Sequence, residues 1–452
     1  MPPRSRPFDR PLVAFALSAV GGMAIAYDAA AAAPRMAWIG AGLLLYLVVS
    51  RMPEVVEWRG RRLPVLRSLL VAVPTVVAVW FLGTHDWLQP VDKVRWLDPV
   101  DRVLAEHLGA MPWPPLHRNV AGGLLACLLP LHLAAVRRPT GDARSLGGPV
   151  LWSTVGLSLC ALLLSRLRGG WLALALTSVI AAWWRMRPRV AGARKPPDRR
   201  SKVWASALGG GIGLIGALLA VGAPLSGILA VRADRWLIWS NSWYLGWDYP
   251  FTGVGLGGFP MAYSSYALLL HVPHTMHAHN LLLDVWLEQG PLGVLALLWI
   301  TWLVLVPGVA RDAPARWVRA ARVSWMVVLT LGLVDDIHYG YAGVGLLLLF
   351  LPVGVLARSD ALDPARVPRA SRWRCRAGWA LPSLAAVGLL TPWGRALVTA
   401  NMAALTQTRV ELAAYHWPAV PIQDAVRRSD TVDLAPAVDA YARALVLAPR
   451  LA

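Results

Sequence analysis

Cysteine is almost missing: the 452-residue chain has 3. Cys127 and Cys160 fall inside apolar runs and Cys375 in a basic connection, so no pair suggests a disulfide framework or a metal site. Acid is scarce too, with 25 Asp+Glu against 44 Lys+Arg, and charged residues of both signs make up only 15% of the chain. So little charge excludes a soluble globule of this size. No internal repeat is visible beyond one short helical unit near the end, which argues against a solenoid.

What replaces charge is apolar sequence. The chain is 57% hydrophobic with mean hydropathy +0.51, and apolar runs of about 15–20 residues recur from end to end. The fold class expected is an all-α polytopic membrane protein with about eleven to twelve transmembrane helices. The spans lie near 11–27, 36–50, 66–82, 119–136, 147–164, 169–184, 203–224, 281–307, 323–334, 341–357 and 377–392.

The net charge of +19 raises the question of nucleic acid, and its distribution answers it. With the N-terminus in the cytoplasm and sides alternating, Lys and Arg collect on the cytoplasmic side, while the loops of the far side hold slightly more acid than base. The most basic block, Arg185 to Lys202, has eight basic residues and reads as a topology anchor on anionic lipid rather than a nucleic-acid site. The first apolar run is read as a span and not as a cleaved signal, because every later loop then obeys the charge rule.

Two far-side loops are long, at 83–118 and 225–280. The first holds Trp87, Trp96 and Trp113 with Asp92, Asp98 and Asp101, and its tryptophans suit the headgroup belt. A very short far-side turn, Ser165 to Gly170, carries Arg166 and Arg168 against the local charge rule. Another holds Asp335, Asp336 and His338. The membrane domain is therefore placed at 1–394 and a soluble helical tail at 395–452. The tail's Ala437–Pro449 either resembles the second helix of a tetratricopeptide unit, which cannot bury its own face and so docks on its own protein or on a protein partner, or is an isolated amphipathic helix.

Chemistry concentrates in the second long loop. Four histidines, His271, His274, His277 and His279, stand within ten residues and are followed by Asn280. Apolar spans have little use for imidazole, so a cluster just before a span points to a reaction centre at the bilayer surface. Density alone would allow a metal, but no flanking Cys or carboxylate completes a familiar ligand spacing, and no metal is expected. His277 and His279 flank one residue, a spacing that points them apart. Asn280 either supports the histidines or caps the next helix. Glu288, inside that helix, is a functional partner or a structural one. Asp336 and His338 either touch substrate or are ordinary interfacial groups. Gly253, Gly255 and Gly258 formally match a dinucleotide fingerprint, but no βαβ unit surrounds them. They mark a turn, or a backbone whose amides approach an anion.

In order and spacing the set resembles the O-antigen ligase/polymerase family of bacterial envelope enzymes. The pieces are the Ser-Arg-Gly-like turn from Ser165 to Gly170, Arg235-x-x-x-Trp239, Pro250-Phe-x-Gly253-x-Gly255, and His279-Asn280 followed by Gly290-x-x-Gly293. The turn is stretched to Ser-Arg-Leu-Arg-Gly, so Arg166 competes with Arg168. The resemblance implies a GT-C type fold in the bacterial inner membrane, with the active site periplasmic. It implies transfer of a glycan from undecaprenyl diphosphate to an acceptor hydroxyl, with a lipid A core favoured. Another lipid-linked glycan (polymerase) or a protein hydroxyl (oligosaccharyltransferase) would serve the same chemistry. It further implies His279 as base and Arg168, Arg235 or Arg166 on the diphosphate, with His277, Asn280, His274, Glu288, Asp336 and His338 in support. No nucleotide or metal cofactor is expected, since the carrier is already activated. The reading of another class is a transporter of lipid-linked sugars, which would put polar residues at mid-membrane in broken helices rather than in far-side loops.

Overall fold

The computed structural model describes residues 6–53, 55–58, 61–89, 95–108, 111–137, 147–186, 225–267, 275–305, 315–340, 343–358, 391–413 and 433–449. Every expected span within these residues is a helix, and the chain divides into two compact units. The expected spans 203–224 and 377–392, His271, His274, Cys375 and the basic block beyond residue 186 lie outside the described residues. Among the described residues four helices are long and apolar enough to cross a membrane: Ala29–Arg51, Val65–Thr84, Arg118–Val136 and Leu281–Leu305. The chain is a helical membrane protein. Among the described residues it departs from all-α only in one antiparallel hairpin, β1 (Val56–Trp58) with β2 (Arg61–Leu63).

The second unit comprises residues 51–233 and 314–338. Its helices are α3 (Val65–Thr84), α4 (Asp98–His107), α5 (Arg118–Val136), α6 (Gly147–Leu164), α7 (Arg168–Met186) and α11 (Ala315–Gly332). The centre is α5, apolar on every side and packed on α3, α6, α7 and α11, as expected of a helix with no polar face. Small residues let its neighbours close in. A Cβ on Gly122 would strike the Ser165 Oγ, and one on Gly123 would lie 2.7 Å from Ile337. The long loop 83–118 is not featureless, since α4 lies within it.

The first unit comprises residues 1–50, 234–313 and 339–452. It contains α1 (Asp9–Ile25), α2 (Ala29–Arg51), α8 (Leu225–Asp248), α9 (Phe259–Tyr266), α10 (Leu281–Leu305), α12 (Val344–Leu349), α13 (Leu351–Ala357), α14 (Pro392–Glu411) and α15 (Ala435–Leu447). Here too the expected far-side loop is largely helical. The expected span 341–357 is broken in two at Phe350, before Pro352, because proline cannot donate to the preceding turn. The tail helices α14 and α15 pack on one another, and α14 packs on the loop before α9. Asn401 Oδ1 accepts from the Phe251 and Thr252 amides at 3.0 and 3.3 Å. The tail thus docks on its own protein, one of the outcomes its sequence allowed.

Candidate functional site

The histidine turn sits immediately before α10. Asn280 caps that helix: its Oδ1 accepts from the Leu282 and Leu283 amides at 3.0 and 3.2 Å. This is the pairing an N-cap supplies to the orphan amides of a first turn. His277 and His279 do not point apart. His279 adopts φ +53, and this left-handed turn brings the two rings to 4.2 Å between centroids. The His277 Nδ1 accepts from the His279 amide at 3.2 Å. In the neutral ring the proton then belongs on Nε2, an assignment made from the hydrogen-bond network.

A carboxylate overlooked in the sequence completes the turn. Asp284 Oδ1 accepts from the Ala278 amide at 2.6 Å, and its Oδ2 faces His277 Nδ1 at 3.9 Å. Both side chains are about 3% exposed. Its signal was there to read, since an acid four residues after a cap faces back into the first turn of a helix. His279 is half-buried, so it is the accessible member of the pair.

The glycine stretch resolves in favour of a turn. Gly253, Gly255 and Gly257 all have positive φ, which only glycine adopts without strain. The amides of Gly253, Val254, Leu256 and Gly257 are used internally. Val254 donates to the Leu287 carbonyl at 2.6 Å, Leu256 to Gly22 at 3.0 Å, and Gly257 to Glu288 Oε1 at 3.2 Å. The loop is built to lie against α1 and α10 rather than to cradle an anion. The facing segment of α10 is itself bent at Gly290, with φ 70 and ψ −175, just before Pro291. A Cβ at Gly290 would fall on the Phe251 carbonyl oxygen.

Glu288 lies next to this bend in a buried polar network. Arg35 NH1 pairs with its Oε2 at 2.9 Å, and the Tyr339 hydroxyl donates to the same oxygen at 2.9 Å. Gln289 Nε2 donates to Tyr339 Oη at 2.8 Å, and Ser18 Oγ donates to Gln289 Oε1 at 2.7 Å. Arg35 also donates to the Tyr339 and Gly340 carbonyls, both at 3.0 Å. Glu288 is thus a structural tie between α2, α10, the glycine loop and the turn at 339–340. Sequence reading found the acid but missed its partners Arg35 and Tyr339, the second 51 positions away and the first, by residue number, about five times farther.

Arg235 sits in α8, partly buried, beside Trp236, which is 70% exposed. Trp171, beside the arginine turn, is by contrast buried at 1% exposure and belongs to the core.

The arginine turn belongs to the second unit. Arg166 has φ +54 and donates from NH1 to Asp98 at 2.9 Å and from NH2 to Asp101 at 2.7 Å. Its side chain is 1% exposed. Acid from the long loop 83–118 therefore balances this buried cation. Burial pushes the Asp101 carboxyl up while Arg166 and Arg118 pull it down. Arg168, the first residue of α7, is less buried, and its Nε has no partner among the described residues. Asp336 and His338 are buried at 0% and 3% exposure. Burial lowers the His338 imidazole to about 4, so it is neutral.

No curated protein and no solved structure matches the chain. The family model described as O-antigen ligase matches residues 153–298, about a third of the chain. That stretch holds the arginine turn, Arg235, the glycine loop, the histidine turn and the bend of α10. That stretch is similar to the O-antigen ligase domain, and the match supports glycan transfer of the ligase/polymerase type in general terms.

Proposed function

We propose that the protein transfers a glycan from undecaprenyl diphosphate to an acceptor hydroxyl at the periplasmic face of the bacterial inner membrane, with a lipid A core as the favoured acceptor. The observation that carries this reading is the histidine turn: a half-buried His279 held in a left-handed conformation, its ring 4.2 Å from that of a buried His277 that faces Asp284. Strained non-glycine residues persist where the surroundings force them, and they cluster at functional sites.

In this reading His279 removes the proton of the acceptor hydroxyl, and His277 with Asp284 holds it in place. Imidazole suits the task because its ordinary pKa lies near neutrality, and such a base contributes about 10²–10⁴ in rate. Breaking the anomeric C–O bond leaves negative charge on the lipid diphosphate. Arg168 and Arg235 meet that charge with guanidinium forks, whose geometry matches phosphate oxygens. Arg166 is assigned a structural part, since two carboxylates already occupy it. Asn280 caps α10 and so fixes the end of the turn. The carrier supplies the activation, so neither nucleotide nor metal is called for.

The test is transfer by purified protein from a lipid-diphosphate glycan to lipid A core, to a second lipid-linked glycan and to a Ser-rich peptide, with EDTA present. Transfer to lipid A core is expected, lost in His279→Ala. In Asp284→Asn turnover falls while the affinity for the carrier holds. Carrier binding without transfer to any acceptor would favour the transporter reading. Activity lost in EDTA and restored by a divalent ion would overturn the metal-free mechanism.

A further inference from the structure

Arg118 is a cation that neither the motifs nor the family resemblance points to. It opens α5, as Arg168 opens α7. The two helices run side by side in the same direction: Gly122 meets Ser165 and Leu167, and Gly170 meets Ala126. Two positive helix ends, each with an arginine as its first residue, therefore stand at one end of the same bundle.

The surroundings of Arg118 differ from those of its neighbour. Arg166 spends both guanidinium ends on Asp98 and Asp101. Arg118 NH2 meets a neutral partner, His85 Nε2, and its NH1 is buried with no partner among the described residues. His85 is itself fixed, stacked on Phe81 at 5.1 Å and edge-on to Trp87 at 4.6 Å. Burial, with Arg118 beside it, lowers the His85 imidazole to about 4, so the ring stays an acceptor at neutral pH. Arg118 and Arg166 both lie near the Asp101 carboxylate, whose Oδ2 is bonded to Arg166 and not to Arg118. A buried guanidinium nitrogen without an acceptor is costly. A phosphate oxygen would satisfy it.

We propose that Arg118 is a further diphosphate-binding residue, held in orientation by His85 and acting with Arg168 on the lipid-linked donor. This rests on the reading of Arg168 as a donor contact. His85 is a positioning residue: it touches Arg118 and not the donor.

The experiment is equilibrium binding of undecaprenyl diphosphate to the full-length protein in detergent micelles, with and without added phosphatidylglycerol. Melting curves are recorded for every variant. Arg118→Ala is expected to weaken binding on the order of 10- to 100-fold, the value of one charge-assisted hydrogen bond. Arg118→Lys should fall between, because a point charge lacks the fork. His85→Gln should bind as wild type, since its amide oxygen still accepts, and His85→Leu should bind several-fold more weakly. If Arg118→Ala does not fold, Arg118→Lys and His85→Leu decide. A melting point lowered in Arg118→Ala with carrier affinity unchanged, while Arg168→Ala binds poorly, would overturn the proposal and leave the donor reading intact. Wild-type affinity in both arginine variants, or no affinity in the wild type, would overturn the two together. Competition by phosphatidylglycerol would make Arg118 an anchor for bulk lipid and overturn it as a donor contact.

Discussion

Only two non-glycine residues among those described adopt positive φ, Arg166 and His279. Both lie in the motif pieces, and each is held by charged or polar partners close in space. For Arg166 these are two carboxylates, and for His279 the neighbouring His277. A left-handed residue with a Cβ costs of order 1–3 kcal/mol, so each position implies compensation nearby. At the same scale, buried His338 gives the fold a pH dependence whose sign is determined. Its folded pKa is about 4 against 6.5 for the free group. Between those values the unfolded chain binds the extra proton and the folded one does not, so stability rises with pH there. The contribution is complete above about 6.5 and is lost as pH falls towards about 4. Thermal unfolding in detergent, followed from pH 7 to pH 4, should show a falling midpoint. His338→Leu, if it folds, should flatten that fall; an unchanged slope would assign it to other groups.

At the scale of elements, α10 shows how one helix can serve chemistry and architecture together. Its cap is the asparagine of the histidine turn, its first turn carries Asp284, and its bend at Gly290 admits the glycine loop. The Arg35–Glu288 pair ties that bend to α2. Removing one member of a buried pair costs about 3–5 kcal/mol, because the other charge stays buried, whereas replacing both with apolar groups is often neutral. Glu288→Ala should therefore lower the unfolding midpoint sharply, and Arg35→Met with Glu288→Leu should recover most of the loss. A double variant as unstable as the single one would show that the hydrogen bonds to Tyr339 and Gly257 matter more than the charge pair. Most helices were legible from hydropathy because an apolar run of that length has no alternative in a bilayer. The break at Phe350 and the helices within the two long loops were not legible. They depend on proline placement and on packing, and amphipathic or aromatic helices outside the spans leave no hydropathy signal.

At the scale of the whole chain, the tail is part of the first unit rather than an appendage. Ala404 and Leu405 of α14 join a buried cluster with Tyr249, Phe259, Tyr263 and Leu287. Asn401 closes that contact with its hydrogen bonds to residues 251 and 252. Asn401→Leu leaves these amides without their acceptor and should cost about 1–3 kcal/mol, read as a lower unfolding midpoint. An unaltered midpoint would mean that the apolar cluster alone holds the tail.

The sequence by itself determined the membrane class, the helical spans and the order of the motif pieces, because hydropathy and local spacing are properties of short stretches of chain. It also located the histidine turn before α10, since imidazole is rare in apolar surroundings. Tertiary structure alone decided which groups are partners. Asp98 and Asp101 neutralise Arg166, Arg35 finds Glu288, and His85 meets Arg118. Nothing in local spacing encodes these pairs, because each joins segments that only the packing of helices brings together. The division between the two arginines of one short turn follows from the same cause: a fold brought acid to one and not, among the described residues, to the other.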